Sequence, residues 1–188
     1  MTDRNDHGAR ALVINGTVGV GKTTTADLVG DRWREAGIPG AVIDVDGLRR
    51  AWPAPPDDPF HATLGLTNLA AVVANHVRAG ALRLVLADVL EDRSQRDRQQ
   101  RAIGLPTTVV RLRADPDRIV PRLAARHRDD HDGGAGLAWH LARVTELQAI
   151  LDAADVDDAV VDVTEFDALA VVDRVLAVTG WPESTPES

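Results

Sequence analysis

Gly16, Gly19, Gly21, Lys22 and Thr23 stand in the run Gly16-Thr17-Val18-Gly19-Val20-Gly21-Lys22-Thr23, a G-x-x-x-x-G-K-[ST] pattern. Glycine at the tight positions lets a backbone loop wrap a phosphate with N–H groups where a Cβ would intrude. Lys22 then reaches phosphate oxygens, and the Thr23 hydroxyl ligates Mg²⁺. The helix that follows points its N-terminus at the anion. The expected nucleotide-binding set is therefore Gly16, Gly19, Val20, Gly21, Lys22, Thr23 and Thr24, and the ligands it implies are ATP and Mg²⁺. Composition adds weight: the chain has 20 arginines and one lysine, and that lysine is Lys22. A compact ammonium on a flexible stem fits between phosphates where a planar guanidinium does not.

A second group of chemical residues follows in Asp44-Val45-Asp46-Gly47-Leu48-Arg49. If the strand before it continues, alternation points Asp44 and Asp46 to the same side. Asp44 is then a support for the Mg²⁺ shell, and Asp46 the group that orients the proton of an acceptor hydroxyl. The competing structural role for Asp46 is N-cap of a helix beginning near Gly47. Asp88, after a third apolar run, is a further carboxylate at a strand end, with its part in the metal site left open.

Phosphoryl chemistry also needs cations around developing charge. Arg118, Arg122 and Arg126 are spaced to stripe one helix face. Arg122 and Arg126 lead into a Gly- and Asp-rich stretch that reads as a lid over about residues 126–140. Arg126 is expected at the transfer, Arg122 on the nucleotide, and Arg118 as surface charge. Arg143, beyond the lid, together with Arg49, Asn68 and Arg93, makes up the expected substrate contacts. His127 and His131 have i, i+4 spacing, but a polar loop with glycines is a poor frame for a metal site.

The elements that position these groups alternate. Apolar runs at 11–15, 40–45, 82–87, 107–112 and 159–163 read as strands. Helical stretches are expected at 22–36, 60–79, 93–103, from Asp115-Pro116 to about Arg126, and at 137–151 and 168–178. Pro53 to Pro59 is a proline-rich connection, with Trp52 beside it as a candidate pocket wall or core residue; the four tryptophans are too scattered to form a stacking platform. The result is an α/β fold of three layers, a five-stranded parallel sheet with helices on both faces. Ligands on such sheets bind beyond the carboxyl ends of the strands. Residues 1–9 are expected to be a flexible N-terminus, 10–181 the domain, and 182–188 a disordered tail.

Bulk properties narrow the function. With 188 residues, 44% of them apolar but only 3% aromatic, one domain with an aliphatic core is expected. The absence of cysteine excludes disulfides, thiolate metal sites and a cysteine nucleophile. A net charge of −8, with arginines interleaved among acids, argues against nucleic-acid binding. No run has the length of a membrane span, and Met1 to Gly8 is polar without an apolar h-region, so no signal peptide is expected. A cytoplasmic monomer or homodimer acting on a small molecule is the expectation. With no second lysine, the guanine-reading Asn-Lys-x-Asp of GTPases is absent, which leaves a compact kinase of the nucleoside-phosphate-kinase type.

The phosphate loop, the Asp44–Arg49 segment, the helix ending in Val77-Arg78-Ala79-Gly80 and the Ser94–Arg101 region together resemble adenylylsulfate kinase. In size and layout the chain is also similar to chloramphenicol phosphotransferase, shikimate kinase and gluconate kinase. The resemblance implies a P-loop small-molecule kinase, with Asp46 and Arg49 beside the acceptor hydroxyl. Asn68 matches an asparagine of the adenylylsulfate kinase pattern, whereas Ala70 and Ala71 stand where that family has arginines. The expected activity is transfer of the γ-phosphate of ATP to a hydroxyl of a small molecule, an antibiotic or another metabolite, in an aliphatic, arginine-poor pocket. The alternatives are adenylylsulfate kinase itself and a nucleotide-dependent switch with no acceptor.

Overall fold

The computed structural model describes residues 8–126 and 135–181. Its elements run β1 (Arg10–Gly16), α1 (Lys22–Glu35), β2 (Gly40–Asp44), α2 (Val45–Leu48), α3 (Ala62–Arg78), β3 (Arg83–Ala87), α4 (Arg93–Ile103), β4 (Thr107–Arg113), α5 (Pro116–Arg126), α6 (Ala135–Ala154), β5 (Ala159–Asp162) and α7 (Ala168–Thr179). The strands form one parallel sheet in the order β2-β3-β1-β4-β5. This is the expected three-layer α/β fold.

The period-two geometry of a strand divides the core into two layers. Leu12 and Ile14 of β1, Val85 and Ala87 of β3, and Val110 and Leu112 of β4 pack with Val29 and Trp33 of α1 and Val172 and Val175 of α7. The alternate residues, Ala11 and Val13, Leu84 and Leu86, and Val109, pack with Leu69 and Val73 of α3 and Ile103 of α4. Ala11, Leu12, Val13 and Ile14 are all completely buried, because the central strand has a helical layer on each side. The edge strands relax that demand, and Val42 and Val160 are partly open to solvent.

Several expectations need correction. β2 stops at Asp44, so Asp44 and Asp46 do not share a strand face. Asp44 instead N-caps the single turn α2, its side chain accepting from the Asp46 N–H. The helix expected from Leu137 begins at Ala135 and runs to Ala154. Of the expected lid, residues 127–134 lie outside the described residues, as do His127 and His131 of the rejected metal pair and the side chain of His140. The termini 1–7 and 182–188 also lie outside them. Trp33 and Trp181 do stack, with ring centroids 5.9 Å apart, but Trp33 is core and the pair closes α7 onto α1.

Gly16 ends β1 at φ 143°, a backbone region that side chains rarely adopt, and a Cβ there would sit 2.6 Å from the Leu112 carbonyl oxygen. Gly16→Ala is therefore expected to lose about 1–3 kcal/mol or more from overpacking and backbone strain. Gly37, at φ 69° with open space around it, is expected to cost about 1 kcal/mol when replaced by alanine. Urea unfolding of both variants checks the difference.

Candidate active site

The loop between β1 and α1 is held from behind. A Cβ on Gly19 would lie 2.8 Å from Leu123 and 2.9 Å from Ile119, so α5 packs directly on the loop backbone. The Thr17 hydroxyl donates to the Val144 carbonyl of α6 at 3.3 Å. Val20 turns its side chain into the core, 2% exposed. Asn15 anchors the strand end: its side-chain oxygen accepts from the N–H groups of Gly16 and Leu90, and its amide donates to Asp157 at 2.8 Å. Over this frame the Lys22 ammonium donates to the carbonyls of Gly16 and Thr17 at 2.9 and 3.0 Å. Gly21, at φ 108° with nothing near its missing side chain, faces the open cleft.

Helix capping separates α1 from its neighbours. The first-turn N–H groups of α2, α3, α4, α5 and α7 each bond to an aspartate side chain: Asp44, Asp58, Asp92, Asp115 and Asp167. These carboxylates satisfy orphan donors and complement the positive end of the helix dipole. α1 has no side-chain cap and no acid in its first turn. Its amides at Lys22, Thr23 and Thr24 are the donors an external anion would meet, and an aspartate there would repel one. The residues thus fit a bound phosphate chain. For a cation the fit is Thr23 Oγ1 beside Asp44 Oδ2, 3.3 Å apart, an oxygen pair suited to Mg²⁺.

Beside the loop, at the ends of β2 and β3, lies a chain of contacts that the sequence did not signal. Gln99 Nε2 donates to Asp88 Oδ2 at 2.5 Å, Arg49 Nη2 donates to Asp88 Oδ1 at 2.5 Å, and the same guanidinium nitrogen is 3.3 Å from Asp46 Oδ1. Asp46 is exposed, whereas Asp88 is buried at the end of β3. The Arg49 side chain therefore ties the exposed carboxylate to the sheet. Burial pushes the Asp88 carboxyl up to about 6, with Arg49 and the Val89 N–H pulling against it.

Loop and carboxylates open into one cleft of about 1080 Å³. It is lined by the expected Gly19, Val20, Gly21, Lys22, Thr23, Thr24, Asp44, Asp46, Arg49, Arg122 and Arg143. Two expected substrate residues are elsewhere. Asn68 donates to the Leu48 carbonyl at 2.7 Å, satisfying an orphan acceptor at the end of α2 and pinning α3 to it. Arg93 donates to the Asp155 carbonyl at 2.8 Å and does not line the cleft. Trp52 lines neither cleft nor core and is 87% exposed. Arg126 ends α5 with its side chain outside the described residues, and Arg118 pairs with Glu165 on the surface. The pocket is neither purely aliphatic nor arginine-poor: Leu66, Leu90 and Leu147 line it with Phe60, together with the polar side chains Glu91, Gln95, Arg98, Gln99 and Glu146. Most of these come from α4, whose polar sequence reads as an ordinary solvated face. The i, i+4 spacing of Gln95 and Gln99 was the available signal.

No family model matches the chain, and no curated protein matches its sequence. Solved structures do share its three-layer α/β P-loop fold. A tunicamycin resistance protein from Deinococcus radiodurans superposes with a TM-score of 0.62 at 20% identity, covering 95% of this chain and 99% of its own. A gluconokinase from Sinorhizobium meliloti 1021 gives 0.54 at 22% identity, covering 93% and 92%. A shikimate kinase from Bacteroides thetaiotaomicron gives 0.58 at 13% identity, covering 92% and 99%. No helix among the described residues is long and apolar enough to cross a membrane.

The raised Asp88 carboxyl sets a pH dependence. Because the folded state binds this proton more tightly than the unfolded chain, the group favours folding at low pH, and that contribution is lost as pH rises through about 6. The stability of the wild type relative to Asp88→Asn is thus expected to fall by roughly 2–3 kcal/mol between about pH 4 and about pH 7. Urea midpoints of the two proteins across that range measure it.

Proposed function

We propose that this protein is an ATP-dependent phosphotransferase that moves the γ-phosphate of ATP to a hydroxyl of a small molecule. The observation that carries the reading is the pairing of an uncapped, acid-free α1 N-terminus under Lys22 with a carboxylate, Asp46, across the same cleft. A phosphate-binding loop alone suits any nucleotide protein. An oriented carboxylate facing it, with room beside it for a second molecule, suits transfer. The fold shared with structures named as a gluconokinase and a shikimate kinase agrees with this reading.

In this mechanism the α1 amides and Lys22 hold the β- and γ-phosphates, and the rigid backing of the loop by Ile119, Leu123 and Val144 keeps those donors aligned. Thr23 and Asp44 would hold Mg²⁺, which would supply neutralisation of phosphate charge. Asp46 accepts a hydrogen bond from the acceptor hydroxyl and takes its proton as the oxygen bonds to the γ-phosphorus. The bond from that phosphorus to the bridging oxygen breaks, and ADP departs with the electron pair. Arg122, which lines the cleft from α5 beside the loop, is the proposed cation for charge on the transferred group. Arg126 and the segment after it are the proposed cover.

Asp46→Asn is expected to lower kcat by at least about 100-fold while leaving ATP affinity within a few-fold. Lys22→Ala is expected to weaken both nucleotide binding and turnover. ADP release and calorimetric titration of the nucleotide measure the two effects separately. Intact function in Asp46→Asn would support a nucleotide switch instead.

A further inference from the structure

On the acceptor side of the cleft each partly buried arginine is held between two carboxylates. Arg49 Nη2 lies 2.5 Å from Asp88 and 3.3 Å from Asp46. Arg143 Nη2 lies 2.6 Å from Glu91, and its Nη1 lies 3.0 Å from Glu146. Their side chains are only 26% and 23% exposed, so these pairs interact in a partly desolvated setting. Arg98, the other arginine of this wall, is exposed and donates to Ser94 Oγ of its own helix.

From this arrangement we infer that the acceptor is an uncharged, polyhydroxylated small molecule, and that acceptors carrying a carboxylate or phosphate are rejected. The inference rests on the phosphotransferase reading and specifies its substrate class. An anion that engaged Arg49 or Arg143 would have to displace a carboxylate that remains beside it as a like charge. A hydroxyl faces no such conflict. It both donates and accepts, and the wall offers both: carboxylate lone pairs beyond those used by the ion pairs, and guanidinium N–H groups. Gln95 adds an amide whose oxygen already accepts from the Glu91 N–H at 2.9 Å, which orients the group. Phe60, 70% exposed at the cleft edge, offers a ring face to the C–H side of such a molecule.

The test uses the full chain with ATP and Mg²⁺ and a matched panel of hexoses, hexitols, cyclitols and nucleosides. Each skeleton is presented in neutral, carboxylate, phosphate and amino forms. ADP release gives kcat/KM, and calorimetry gives acceptor binding independently of turnover. The neutral form of the best skeleton is expected to exceed its anionic forms by at least about 100-fold in kcat/KM. The double variant Glu91→Gln/Glu146→Gln, which releases Arg143, is expected to narrow that ratio at least about tenfold by lowering KM for the carboxylate form. Glu146→Gln alone, at an exposed position, should move the ratio in the same direction and serves if the double variant does not fold. Wild-type preference for an anionic or amino form, an unchanged ratio in the variants, or no binding of any neutral form overturns the inference. Binding of neutral forms without transfer would instead refute the phosphotransferase reading and leave the acceptor class standing.

Discussion

The structure depends on how tightly β1 is enclosed at its carboxyl end. The strand is buried on both faces and hydrogen-bonded on both edges, and at Gly16 it meets the Leu112 carbonyl so closely that no side chain fits. The backbone must turn there, and it turns with its polar groups still needing partners. Asn15 supplies some of them and Lys22 others. The amides of the α1 first turn remain directed at the cleft. The anion site is a consequence of ending a fully buried strand abruptly and starting a helix with no carboxylate at its head.

Around that constraint, charge is distributed in a consistent way. Aspartates cap the starts of α2, α3, α4, α5 and α7, whereas the start of α1 carries none. On the acceptor side the two partly buried arginines, Arg49 and Arg143, each sit between two carboxylates. The cleft therefore has two electrostatic halves. One is poised for polyanion binding by backbone dipoles and an ammonium. The other holds Arg49 and Arg143 in ion pairs with carboxylates. Asp46 stands at the boundary, and Arg49 connects it to the buried Asp88, so the exposed carboxylate is positioned from within the sheet.

The loop, the strand pattern and the helix–strand alternation were readable because they rest on local rules. Glycine tolerance, the continuous apolar runs of buried strands and the pairing of Asp115 with Pro116 act over a few residues, and all three reappear in the structure. Asp44 and Asp46 were recognised as chemical groups but misplaced, because the length of β2 is set by pairing with β3, which ends at Ala87. The same strand end carries Asp88, whose burial and partners are invisible to any short window: Arg49 lies 39 residues away. Asn68 and Arg93 misled for a related reason. A polar side chain on a helix advertises a hydrogen bond but not its recipient, and here the recipients are backbone carbonyls of neighbouring elements.

The sequence by itself thus determined the parallel α/β sheet and the glycine-rich loop that carries the chain's single lysine, since each follows from steric and periodic demands within a short stretch of chain. Only the tertiary structure decided which polar residues share the cleft and which charges cancel there. Ion pairing and desolvation depend on distances through space, and the folded sheet alone brings Arg49 to Asp88 and Arg143 to Glu91.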